Sequence, residues 1–240
     1  MAYDFLGLVN DVNRRVNEVE LTSANFDTAQ GFYNTAKDAV NSAIRQINYE
    51  QFEWPFNHQT HTETLVDGTT RYDFPATAKT VDMDTFRVKR NTTFNNPTNK
   101  LNILSYEEYL ERYADQEYNT DSAIKGAPTQ VFRTPAFQFG IVPLPDNAYE
   151  VEYEYYELPI DLSAATDTTN IPEHFRSIII DGAMTYVYLF RGNSQDAALM
   201  QQKFVDGINS MRTIYINRTE YVRTSMIERV SPSYNFVRIK

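Results

Sequence analysis

The sequence predicts an α+β protein: a helical bundle formed by N- and C-terminal helices, an inserted antiparallel β-rich domain, and an extended C-terminal tail. Three observations carry that expectation. Apolar residues recur at three- and four-residue steps at both ends of the chain, the spacing that aligns one face of a helix. Between them they alternate at two-residue steps, the strand period. Pro, Asn and Gly punctuate that middle region. Neither terminal helical pair can bury its apolar face alone, so the ends must pack on each other and the β region interrupts the bundle. The boundaries expected are 1–57 and 171–222 for the two halves of the bundle, 58–170 for the insertion and 223–240 for the tail.

The elements follow in order. Leu6, Val9, Val12, Val16 and Val19 mark a first helix with Asp4 as its N-cap. Phe32, Ala36, Ala39, Val40, Ala43, Ile44 and Ile47 mark a second, from about 28 to 52 and ended by Pro55. Residues 62–66 and 70–74 flank Asp67-Gly68, a hairpin signal. Residues 81–90 and 101–104 read as strands. Ser105 with Glu108 has capping-box spacing, so a helix runs from Ser105 to about Glu117. Three more strands are expected over 130–134, 137–142 and 149–156. Pro172 is placed as the first residue of a helix that is apolar on most sides, through Phe175, Ile178, Ile179, Met184, Val187, Tyr188 and Phe190. That makes it the element expected to be most buried, closed by Gly192. Ser194 opens a last helix that could continue towards Arg223.

Composition narrows the function. A chain of 240 residues can bury roughly three quarters of its unfolded surface. It has no cysteine, which excludes disulfides, thiolate zinc sites and thiol nucleophiles. Its net charge of −10 disfavours tight nucleic-acid binding, which needs a cationic surface. The charge is uneven: −4 over residues 1–60, −9 over 61–171 and +3 over 172–240. No run of about 18 apolar residues could span a bilayer. The start, MAYDFLGLVNDVNRR, lacks the basic region and long apolar stretch of a secretory signal, so a soluble, cytosolic protein without membrane contact is expected.

The motifs of chemistry are sparse. No Walker A loop, G-x-G-x-x-G or G-x-S-x-G is present, and no cofactor is expected. His58, His61 and Glu63 form H-x-x-H-x-E, but on a strand position 58 lies opposite 61 and 63. Glu150, Glu152 and Glu154 share one strand face, with Val151, Tyr153 and Tyr155 on the other. That ladder reads as a solvated face, as a surface meant to be negative, or as a carboxylate pair for hydrolysis, like Asp82 and Asp84. The aromatic run Tyr106, Tyr109, Tyr113 and Tyr118 reads as helix packing or as an interface. The C-terminal segment is basic and carries apolar groups without helical period. It reads as a frayed end or as a segment docking on a partner through Arg218, Tyr221, Arg223, Arg229, Tyr234, Phe236, Val237, Arg238 and Ile239.

Three stretches give the layout a family likeness: 43–56 (AIRQINYEQFEWPF), 153–159 (YEYYELP) and 171–183 (IPEHFRSIIIDGA). With the order of elements, they resemble bacteriophage head-to-tail adaptors, nearest in type to the tail tubular protein A, or gatekeeper-ring, family of short-tailed phages. The likeness covers about residues 1–222 and consists of packing signatures, with no catalytic residue among them. It implies a structural virion protein of the neck, assembled in the host cytoplasm: a homo-oligomeric ring, usually a dodecamer, between the portal protein and a tail nozzle or other tail protein. Genomic DNA passes its centre during ejection without tight binding. It further implies that the C-terminal segment reaches the portal. The alternatives weighed are a carbohydrate- or receptor-binding tail component and a carboxylate-based glycan hydrolase.

Overall fold

A computed structural model describes residues 2–51, 53–90, 97–118 and 124–215. Two helices, α1 (Phe5–Arg15) and α2 (Phe32–Glu50), precede eight strands. These are β1 (His58–Thr64), β2 (Arg71–Asp73), β3 (Ala78–Val88), β4 (Asn99–Lys100), β5 (Asn102–Leu104), β6 (Gln130–Arg133), β7 (Gln138–Val142) and β8 (Glu150–Glu157). Helix α3 (Tyr106–Arg112) lies between β5 and β6, and α4 (Arg176–Phe190) and α5 (Ser194–Tyr215) complete the described chain. The α+β class is as expected.

The helices close one core from both ends of the chain. Leu8, Val9 and Val12 of α1, Ala36, Val40, Ala43 and Ile47 of α2, Ile179, Ala183 and Val187 of α4, and Phe204, Ile208 and Met211 of α5 are all buried in a single cluster. Gly182 sits at the closest approach. A Cβ there would stand 2.6 Å from the Phe204 ring and 2.9 Å from Ala43 Cβ.

The segments leaving and re-entering the bundle are tied to it. The buried Trp54 donates from its indole nitrogen to the Ile47 carbonyl at 2.8 Å. Asn41 clamps the returning chain, donating to the Leu162 carbonyl at 2.9 Å and accepting from its amide at 3.1 Å. Lys79 of β3 donates to the Asn48 and Gln51 carbonyls at the C-terminal end of α2, where a cation suits the helix dipole. Burial there lowers its pKa.

The strands form two four-stranded sheets, β1-β8-β3-β4 and β2-β7-β6-β5, which face each other. Their shared core is aromatic: Phe139 contacts Tyr72, Phe74, Phe86 and Tyr153, and Phe86 stacks on Tyr153 at 4.4 Å. The strand period sends Phe132 and Val142 to the opposite face of the second sheet, where Tyr109 of α3 covers them. Phe132 lies directly across from Gly140, where a Cβ would come within 2.1 Å of its ring, and Tyr109 stacks on its other side at 3.8 Å. Glycine is needed here to give the ring room.

Several expectations are corrected. Helix α1 ends at Arg15, because Asn17 takes a left-handed φ of 59°; its amide bonds Arg14 O and the Glu18 amide bonds Asn13 O, a Schellman closure. Val19 therefore lies outside the helix and is exposed. Helix α2 starts at Phe32, after Gly31 at φ 69°, and stops at Glu50, ahead of Pro55, which instead opens a 3-10 turn. Asp67-Gly68 does turn the chain, with the Thr69 amide on Val66 O at 3.0 Å, but β1 and β2 belong to different sheets. Gly68 alone has positive φ there. A type I′ hairpin needs it at both central residues, and this turn does not match the twist of a paired ribbon.

Strand β5 pairs parallel to β6, which the intervening α3 crossover permits. Helix α3 is α-helical only to Arg112, and residues 114–117 form a 3-10 turn. Pro172 is extended at ψ 144° and precedes a 3-10 turn, so α4 begins at Arg176. The last turn of α4 is not buried: Leu189 and Phe190 are largely exposed. Continuation of α5 towards Arg223 falls outside the described residues.

Two close approaches yield a prediction. Gly140→Ala and Gly182→Ala should each destabilise the fold by about 1–3 kcal/mol, the range for overpacking a filled core. Urea unfolding at constant m-value is the measurement, and a neutral result would show that the Phe132 or Phe204 ring is free to move.

Candidate functional site

The acidic ladder lies on β8, the second strand of the first sheet, with β1 on one side and β3 on the other. Alternation buries Val151, Tyr153 and Tyr155 and turns Glu150, Glu152 and Glu154 outward. Across β1 stand Thr64, Thr62 and Thr60, in register with Glu150, Glu152 and Glu154. Across β3 stands a basic counterpart. Lys89 lies 3.4 Å from Glu150, and Arg87 lies 3.3 Å from both Glu152 and Glu154. His58 Nε2 adds a contact of 3.1 Å to Glu154. The ladder is thus a cross-strand charge network rather than a bare negative face. Sequence reasoning missed these cations: Arg87 and Lys89 stand two apart at the end of β3, and only the β3–β8 pairing brings them to the ladder.

The hydrogen bond from His58, and secondarily that from Arg87, holds the Glu154 carboxyl below the ordinary carboxylate range. This direction suits a structural ion pair. A general acid needs the opposite shift.

The two histidines of H-x-x-H-x-E go to opposite sides of β1. His58 meets Glu154, while His61 meets Glu63 at 3.1 Å and the Tyr153 ring at 5.3 Å. Asp82 and Asp84 lie where the β3–β8 register shifts; Asp82 accepts from the Asp84 amide at 3.0 Å and Asp84 lies 3.5 Å from Lys100. Of the tyrosine run, Tyr109 is fully buried, Tyr106 and Tyr113 pack beside it, and Tyr118 is exposed. The Tyr109 hydroxyl sits beside the bidentate Arg71–Glu117 pair, at 2.6 and 3.0 Å, and burial raises its pKa. Ordinary packing therefore accounts for three of the four rings. Burial likewise raises the pKa of Tyr153, whose hydroxyl has no hydrogen-bond partner among the described residues. The expected docking residues Arg218, Tyr221, Arg223, Arg229, Tyr234, Phe236, Val237, Arg238 and Ile239 lie outside the described residues.

Taken together, the described chain is an α+β protein whose acidic ladder is paired across strands and whose aromatic groups chiefly build core. A family model, that of the SU10 adaptor proteins, matches residues 3–229. The chain belongs to the SU10 adaptor protein family, and its likeness to bacteriophage head-to-tail adaptors rests on that match as well as on the three stretches noted above. No curated protein matches the chain.

The ladder gives a pH prediction. A carboxyl whose pKa falls on folding stabilises the folded state above the unfolded pKa, and that contribution is lost as pH falls through the lowered value. His58→Ala should raise the Glu154 midpoint towards the ordinary range, and by more than Arg87→Leu does. A side-chain carboxyl NMR titration reads both shifts.

Proposed function

We propose that this chain is the head-to-tail adaptor of a virion neck. Copies form a ring, twelve by the family likeness, that joins the portal protein to a tail nozzle or another tail protein, after assembly in the host cytoplasm. The observation that carries the reading is the family match over residues 3–229, nearly the whole chain. A bundle closed by both chain ends supports it, because it makes a rigid body that can be gripped on two flanks. The reading takes 1–57 with 171–222 as that body and 58–170 as a second, projecting unit. The role is structural, with no reaction assigned.

DNA passes through the ring without adhering. Weak adhesion follows from charge: −10 on each copy repels a polyanion, and few phosphates can be neutralised at once. The ladder on β8, three carboxylates against Arg87 and Lys89, is a weak source of that field, so the lumen wall draws most of its charge from other carboxylates. The basic segment beyond α5 is the arm that reaches the portal, with its arginines meeting an acidic surface there.

Purified chain mixed with its portal should show an end-on ring in electron micrographs, and portal with no added density would contradict the proposal. Deleting residues 224–240 should leave the thermal unfolding temperature unchanged and weaken portal attachment at least tenfold. A shortened chain that unfolds earlier yet binds the portal normally would reverse the assignment of the arm.

A further inference from the structure

We infer that neighbouring copies in the ring meet through opposite flanks of α4, an apolar ridge of one copy seated in an arginine-lined groove of the next. The inference rests on the ring reading above and adds its contact.

The ridge is Tyr186, Leu189 and Phe190, spaced i, i+3 and i+4 and so adjacent on one side of the helix. They are 37%, 56% and 64% exposed. They extend the side of α4 that, a turn or two earlier, buries Ile179, Gly182 and Ala183. The apolar stripe thus continues onto residues that the described bundle leaves exposed. Tyr49 of α2, also exposed, widens the ridge: it lines a shallow depression with Tyr186, whose hydroxyl lies 3.2 Å from Gln46 Oε1. Aromatic surface left open in this way marks an interaction site.

The groove, about 630 Å³, is lined by Asp11, Arg14 and Arg15 of α1 and by Arg176, Ser177 and Ile180 of α4. At about 100° per residue, Ser177 and Ile180 lie on nearly the opposite side of α4 from the ridge. A copy's own ridge cannot reach its own groove, whereas the ridge of a rotated copy can. Such a contact is heterologous and closes into a ring when the rotation allows.

The chemistry of the two flanks matches. Guanidinium groups favour aromatic faces, and both residue types are enriched at the centres of interfaces. The groove's cations are already held: Asp11 pairs with Arg14 and, at 2.5 Å, with Arg176, while Arg15 pairs with Asp181 at 2.5 Å. Side chains fixed beforehand lose little freedom on docking. On the ridge flank, Asp38 lies on the outward strip of α2 with Ser42, Arg45 and Tyr49, and makes no ion pair among the described residues. It supplies a charge for the arginine rim opposite.

The absence of cysteine makes the test direct. A chain carrying both Ser177→Cys and Phe190→Cys, assembled on the portal and treated with a short bis-maleimide, should give a covalent ladder on a denaturing gel. Either substitution alone should give monomers. Leu189→Ser with Phe190→Asp should lower ring yield at least tenfold without lowering the unfolding temperature of the free chain. A ring visible in micrographs with no ladder would overturn the contact and leave the ring standing. No ring at all with unsubstituted chain would overturn the reading beneath it. Dimers from Phe190→Cys alone would show a two-fold contact and overturn the head-to-tail geometry. A Ser177→Cys thiol that reacts with maleimide in the free chain only after removal of residues 216–240 would place the chain's own end in the groove, which also overturns it.

Discussion

The fold depends on α4 being buried from two directions at once. Its face at Gly182 receives Ala43 of α2 on one side and the Phe204 ring of α5 on the other, at distances no side chain larger than hydrogen would allow. More than a hundred residues separate α2 from α4, so this packing is what turns two distant pieces of chain into one body. The polar clamps act on the same junction. Asn41 fixes the returning chain at Leu162, Trp54 seals the exit below Ile47, and Lys79 closes the end of α2. Each satisfies backbone groups that the excursion would otherwise strand.

The β region is built by the strand period read on both faces. Inward residues of the two sheets form an aromatic core around Phe139, and outward residues of the second sheet form another beneath α3. The first sheet leaves its outer face to water and covers it with threonines, carboxylates and their cations. Opposite charges across strands stabilise a sheet, while the same carboxylates left unpaired would repel one another. The ladder is accounted for by the stability of its own sheet, and nothing in its electrostatics calls for catalysis.

Much of this was legible in the residues. The 3.6-residue period of α2 and the capping signals at Asp4 and Ser105 gave those helices their place, and both caps accept the expected amides, from Gly7 and Glu108. Alternation over 150–155, within the strand expected at 149–156, gave both faces of β8. What stayed hidden was set by long-range geometry. Asp67-Gly68 announces a turn but not which sheets its flanks join. Val19 continues the spacing of α1 although Asn17 has already ended the helix. Phe190 is as apolar as Ile179, yet the packing leaves one exposed and buries the other. The partners of the ladder, Arg87 and Lys89, become visible only once β3 and β8 are known to be neighbours. The docking residues beyond Tyr215 lie outside the described chain.

The claim that the two ends form one cooperative body is tested most directly by native-state hydrogen exchange. The amides of Val40, Ala43 and Ile47 in α2 and of Ile179, Ala183 and Val187 in α4 should exchange together, in the slowest set, with the free energy of global unfolding. Exchange of the α2 amides through a separate opening of much lower free energy, with α4 still protected, would show that the N-terminal helices do not share the core, and the account of the fold would fail.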